Sequence, residues 1–300
     1  MRRFVESAFF FRCSGEELPG IVTLPNTEVS TGVLIVVGGP QYRVGSHRQF
    51  VQLARGFAGA GLACMRFDCR GMGDATGDER SFDELGDDID AAIGAFRGKV
   101  ASLQRIVLLG LCDGATAAVL CAAQQRTLAG LVLINPWVRT EVGASRTFLR
   151  HYYARRFLDR SLWRKLASGQ LGVRDALRRF FKNARTSMES AYAAAFKGTG
   201  RELPERVCEA LGQLSCNCVV LLSGRDFVAR EFEDSMRQLP SFLALVERGR
   251  VLIRRADSAD HTFSGQDQVA ELLAACLEAV GSMTPKTMER GTYGPQGRVA

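Results

Sequence analysis

Histidine is the scarcest of the chemically versatile residues in this chain, with three in 300 residues, at positions 47, 151 and 261. Any step that needs an imidazole must therefore use one of those three. Cysteine is not scarce, but its usual spacings are absent. The nine cysteines form no CxxC pair and no Cys/His cluster, so the ligand spacing of a metal site is missing and none is expected. Their odd number, and their place inside apolar runs such as Cys216-Asn217-Cys218-Val219-Val220-Leu221-Leu222, argue against a disulfide framework. Reduced thiols and a cytoplasmic chain are the expectation. No apolar run reaches the roughly 20 residues of a membrane-spanning helix. The start, Met1 to Arg12, imitates a signal peptide, but Glu6 and Arg12 interrupt its apolar stretch and no small-residue cleavage site follows. No internal repeat is present. Gly71-Met72-Gly73 is too little for a phosphate-cradling loop and reads as a tight turn after Phe67-Asp68. No cofactor and no nucleic-acid partner are expected.

What is present is an ordinary apolar fraction, 46%, enough for a substantial core. The net charge of +7 is uneven: between Arg139 and Arg185 there are 13 Lys or Arg against 3 Asp or Glu. That basic segment points to an anionic partner or surface, including peripheral contact with a membrane, or to a solvated helical face.

The chain alternates between two periodicities. Residues 4–12 and 20–25 read as an antiparallel hairpin turning at Ser14-Gly15-Glu16-Glu17. Continuous β-branched or apolar runs at 32–37, 62–67, 105–109, 130–136, 218–224 and 251–253 have the character of strands buried on both faces. Helical patterns lie at 47–60, 83–97, 115–120 and 266–280. This alternation predicts an α/β fold: a mostly parallel, doubly wound sheet of about eight strands with an N-terminal antiparallel hairpin. Residues 138–200 break the rhythm with helical patterns alone, the mark of a helical cap inserted in a core made of 1–137 and 201–283. The Gly/Pro-containing polar tail from 284 to 300 is expected to be disordered.

Gly110-Leu111-Cys112-Asp113-Gly114 follows the run Ile106 to Leu109 and precedes a helix. Strand, sharp turn of the form small-x-nucleophile-x-small, then helix is the layout of a nucleophile elbow, with Cys112 where serine is usual. A thiol nucleophile needs a base, and the base needs an orienting acid. His261, in Ala259-Asp260-His261-Thr262-Phe263, lies between the last strand and the last helix, in a loop at the carboxyl edge of the sheet where ligands gather. Asp226, in Ser223-Gly224-Arg225-Asp226-Phe227, directly follows a buried strand and supplies the acid. The helix N-terminus and an imidazolium would favour the thiolate, and the Asp113 carboxylate would oppose it if it faced the thiol. The amide of Asp113 is one expected oxyanion donor; the other comes from the loop Gly38-Gly39-Pro40-Gln41. Pro40 has no N–H, which leaves Gly39, with Gln41 as the alternative.

Together these residues resemble the α/β-hydrolase superfamily over roughly 20–280. The stretches Gly38-Gly39-Pro40-Gln41-Tyr42-Arg43-Val44-Gly45-Ser46-His47-Arg48-Gln49-Phe50 and Gly110 to Gly114 are similar to the exosortase A system-associated hydrolase 1 family. The cysteine elbow also resembles dienelactone hydrolase, whose oxyanion loop and lack of the helical insertion differ. The resemblance implies an ester or thioester hydrolase encoded beside exopolysaccharide synthesis. Its substrate would be a small acyl or acylated-saccharide molecule, with Tyr42, Arg43, His47 and Arg48 lining the entrance and able to hold an anionic group. Acyl transfer on the same site, and a non-catalytic binding protein on this scaffold, remain open alternatives. Oligomeric state is not legible.

Overall fold

The computed structural model describes residues 4–38, 41–125, 127–138 and 202–283. The expected cap and tail lie almost wholly outside the described residues. Eight strands form one sheet: β1 (Phe4–Cys13), β2 (Glu16–Pro25), β3 (Thr31–Val36), β4 (Ala63–Phe67), β5 (Arg105–Leu111), β6 (Leu128–Ile134), β7 (Asn217–Ser223) and β8 (Val251–Ala256). Their order is β1-β2-β4-β3-β5-β6-β7-β8. β1 and β2 pair antiparallel, β2 meets β4 antiparallel, and β4 through β8 run parallel.

The hairpin is tighter than its sequence implies. Only Ser14 and Gly15 form the turn, both at positive φ (51° and 90°), so β2 begins at Glu16 and not near residue 20. Two positive-φ residues match the twist of the flanking strands.

The parallel strands are buried on both faces because helices cover both. Along β3, Val33 and Ile35 enter one core, and Leu34 and Val36 enter the other. β5 repeats the division, with Val107 and Leu109 against Ile106 and Leu108. Helices α1 (Gln49–Gly59) and α7 (Gln268–Met283) close the first core through Phe50, Leu53, Phe57, Leu272 and Cys276. Helices α2 (Gly86–Lys99), α3 (Asp113–Ala122), α4 (Leu203–Gln213), α5 (Phe227–Met236) and α6 (Pro240–Glu247) close the second. Helices α4, α5 and α6 were not expected from periodicity. They begin at chemical start signals: Pro204 and Pro240 in the first turns of α4 and α6, and the Asp226 cap on α5.

Every parallel strand therefore ends at the same edge. The loops after β3, β5, β6, β7 and β8 meet there.

Candidate active site

β5 ends at Leu111 and α3 starts at Asp113, so Cys112 alone makes the turn between strand and helix. Its backbone is forced: φ is 57° and ψ is −125°, outside the ordinary regions for a side-chain-bearing residue. The surrounding glycines explain how the chain tolerates this. A Cβ on Gly110 would stand 2.5 Å from the Gly114 carbonyl oxygen and 2.6 Å from Ala115 Cα. One on Gly114 would stand 2.7 Å from the Val36 oxygen and 2.8 Å from the Gly38 nitrogen. These are main-chain atoms and cannot step aside. Hydrogen bonds then pin residue 112: its amide donates to the Ile134 oxygen at 2.9 Å, and its carbonyl accepts from Trp137 N at 3.3 Å. Thr116 locks that contact, its hydroxyl donating to the Trp137 oxygen at 2.6 Å and accepting from the Trp137 amide at 3.1 Å. The Cys112 side chain is half-buried.

The loop after β3 packs onto the elbow. The side of Gly38 that a Cβ would occupy is filled by Asp113 Oδ1 and Gly114 N. Asp113 Oδ1 accepts from the Gly114 amide at 3.1 Å, at the positive end of α3. Gln41 is half-buried in the same loop; Gly39 lies outside the described residues.

Asp226 and His261 come from different loops and meet. Asp226 Oδ2 lies 2.7 Å from His261 Nδ1, and an accepting carboxylate requires that this nitrogen carry the proton. The aspartate is buried, 6% exposed, and it also caps α5 by accepting from Val228 N at 3.1 Å and Ala229 N at 3.2 Å. The His261 side chain is one-third exposed, so its ring bridges interior and solvent. Its neighbour Asp260 is held below the usual carboxylate range: desolvation pushes it up, but hydrogen bonds from Ser264 and Thr262 and the charge of His47 outweigh that push.

The four residues expected at the entrance, Tyr42, Arg43, His47 and Arg48, divide. Arg43 is not a free cation: its backbone amide donates to Asp68 Oδ1 at 2.6 Å, and its guanidinium binds Asp68 Oδ2 and, at 2.7 Å, Asp74 Oδ2. Asp68 is wholly buried and also takes the Asp74 amide at 3.0 Å, so Arg43 anchors the 68–74 turn. The neighbouring Arg70 is spent likewise, its Nε 2.5 Å from buried Asp88. Tyr42, 48% exposed, packs beside this turn. His47 and Arg48 are exposed and both left-handed, with φ of 53° and 60°. His151 lies outside the described residues.

One buried polar residue at this edge was not singled out in the sequence. Asn135, read only as the end of a strand, is fully buried at φ 45°. The signal was there: a polar residue before proline closing an apolar run at the functional edge.

Among the described residues no group of His, Cys, Asp and Glu could hold a metal ion, and no helix is long and apolar enough to cross a membrane. Comparison with solved structures finds the same fold in distant chains. An esterase of Pyrococcus furiosus, Pf2001, superposes with a TM-score of 0.60 at 16% identity over 93% of both chains. Est1E from Butyrivibrio proteoclasticus, solved with ferulic acid, gives 0.59 at 14% identity over 92% of this chain and 99% of its own. The proline iminopeptidase of Mycobacterium smegmatis gives 0.59 at 14% identity over 92% and 98%. By sequence, no curated protein matches the chain. The pattern of the Alpha/beta hydrolase family, however, matches residues 33–275, and the chain belongs to that family.

Proposed function

We propose that the protein hydrolyses ester or thioester bonds with Cys112 as nucleophile, His261 as base and Asp226 as its orienting acid. The observation that carries this is the 2.7 Å Asp226–His261 pair at the sheet edge where Cys112 stands on a strained strand-to-helix turn. An exposed ring edge beside a buried carboxylate is what a base facing substrate requires.

His261 Nε2 takes the thiol proton while Sγ attacks the carbonyl carbon, forming a C–S bond and an oxyanion. The amide of Asp113 donates to that oxyanion, together with one from the 38–41 loop, Gly39 or Gln41. Collapse breaks the C–O or C–S bond to the leaving group, which takes the proton from His261. Water, deprotonated by His261, then attacks the acyl-thioenzyme, the carboxylic acid leaves, and the thiol regains its proton.

The resemblance to exosortase A system-associated hydrolases, together with the basic stretch of 139–185, supports an anionic acylated saccharide as substrate. Tyr42, His47 and Arg48 are the entrance groups proposed to meet it. Arg43 we assign to anchoring the turn behind them. The same basic stretch supports contact with anionic membrane surfaces, and nine cysteines without a disulfide framework support a cytoplasmic location.

Short p-nitrophenyl esters and acyl-thioesters test the reading. Turnover that iodoacetamide and Cys112→Ala abolish supports it. No turnover, with Cys112 alkylated no faster than the other eight thiols, sinks it. Activity retained in Cys112→Ser would show a site that accepts either nucleophile.

A further inference from the structure

We infer that Asn135 is a positioning residue of the site, setting where the His261 imidazole stands by holding the main chain of its loop. The inference deepens the hydrolase reading and rests on it for the role of His261.

Asn135 directly follows β6 in a left-handed conformation, φ 45°, which asparagine tolerates better than most side-chain-bearing residues. Its backbone amide donates to the Leu221 oxygen of β7 at 2.9 Å. The carboxamide is fully committed. Oδ1 accepts from Ser223 N at 2.8 Å, and Nδ2 donates to Ser223 Oγ at 2.9 Å and to the His261 carbonyl at 3.1 Å. A main-chain N–H on one side and two oxygens on the other fix which way the amide faces. No other side chain of this size can accept once and donate twice in that place.

The links run on to the other two groups of the proposed triad. The Ser223 oxygen takes the Asp226 amide at 3.3 Å. Ile134, one residue before Asn135, takes the Cys112 amide at 2.9 Å, and Trp137, two after, donates to the Cys112 carbonyl at 3.3 Å. A four-residue segment thus touches the main chain of residue 112 directly, His261 directly, and Asp226 through one residue. The links to residue 112 are main-chain, whereas those to His261 and to Ser223 are made by the Asn135 side chain, so a change at 135 spares the first, and Ser223→Ala separates the other two. Because Asp226 grips the ring through Nδ1 and Asn135 grips the same residue through its carbonyl, His261 is held at its ring and at its main chain.

Asn135→Asp keeps shape and acceptor and removes both donors; Asn135→Gly keeps the left-handed backbone and removes the whole amide. Ser223→Ala removes one acceptor and leaves the His261 link intact. The readouts are the low-field Nδ1–H resonance of His261 in protein labelled with 15N-histidine, assigned by its loss in His261→Gln, and kcat and KM on p-nitrophenyl acetate. In both Asn135 variants the resonance is expected to shift or vanish, and kcat to fall at least about tenfold with KM within about twofold. Ser223→Ala is expected to retain both. A wild-type resonance in Asn135→Asp overturns the inference, as does an equal loss in Ser223→Ala or a failure of both Asn135 variants to fold. A wild type that hydrolyses no ester, yet whose resonance moves in Asn135→Asp, refutes the hydrolase reading and leaves the positioning role standing.

Discussion

Asp226 carries two tasks that two substitutions separate. Its carboxylate caps α5 through Val228 N and Ala229 N, and Oδ2 holds His261 Nδ1. Asp226→Ala removes both. Losing an N-cap costs about 1 kcal/mol, and losing a charge at the positive end of a helix about 0.3–1 kcal/mol more. In a chain of this size each kcal/mol moves the melting temperature by about 2–4 °C, so a fall of roughly 3–8 °C is expected. Asp226→Asn keeps a competent cap, since asparagine ranks with aspartate there, and loses only the charge. Its melting temperature should stay within about 1–4 °C of the parent. The catalytic effect is reversed in emphasis. The asparagine amide can donate to Nδ1 and stabilise the tautomer with its proton on Nε2, which cannot accept from the thiol; a loss of about 10³–10⁴ in kcat follows. Thermal unfolding and p-nitrophenyl ester turnover on both variants read the two effects. An Asp226→Asn protein active within tenfold of the parent refutes the tautomer argument. One destabilised as far as Asp226→Ala refutes the cap.

Three further outcomes follow from other parts of the molecule. Gly114→Ala should cost several kcal/mol or abolish soluble expression, because its Cβ meets the Val36 oxygen at 2.7 Å; a variant melting within 2 °C of the parent would contradict the packing. Iodoacetamide at pH 7.5, followed by peptide mass analysis, should label Cys112 before any other cysteine, because burial pushes up Cys64, Cys121, Cys218 and Cys276 and raises Cys13 to about 11. Stability should fall in alkali: Cys64, Cys69, Cys218 and Cys276 are at most 1% exposed and raised by burial, so their contribution is whole below the unfolded value near 8.5 and is lost as pH climbs above it. At pH 10 each unfolded thiol gains about 2 kcal/mol, about 8 in all, comparable with a typical total stability, so helical circular dichroism unchanged at pH 11 would refute this.

The parallel core was legible because apolar β-branched runs bounded by glycine and proline have few other uses, and β3, β5, β6 and β7 all lie where those runs fall. The tight strand-to-helix turn was legible for a steric reason: glycines two before and two after residue 112 are demanded by main-chain contacts, and Gly110 and Gly114 have them. What escaped was short or shared. Helices α5 and α6 span ten and eight residues, too few for periodicity to declare itself, and the cap of α5 was hidden because Asp226 was read for its chemistry alone. Arg43 escaped because charge in sequence does not reveal its partner: Asp68 and Asp74 lie 25 and 31 residues away. Asn135 escaped for the same reason, its partners being 88 and 126 residues distant.

Much of the edge is assembled by main-chain bonds: Cys112 N to the Ile134 oxygen, Trp137 N to the Cys112 oxygen, Gly224 N to the Ala256 oxygen, Arg225 N to the Ala259 oxygen. Such bonds do not depend on which side chain sits at residue 112, so the elbow is set by its glycines and by the strand beside it. Exchanging sulfur for oxygen at Cys112 therefore changes the proposed attacking atom without removing the scaffold's grip on the residue, and the activity of a serine variant would report on the proposed nucleophile itself. Asp226 and Asn135 stand on the other side of that division, since each uses its side chain to build the edge as well as to hold His261. The proposed chemistry of this site is thus separable from its architecture at residue 112 by exchanging one atom, whereas at 135 and 226 one side chain serves both.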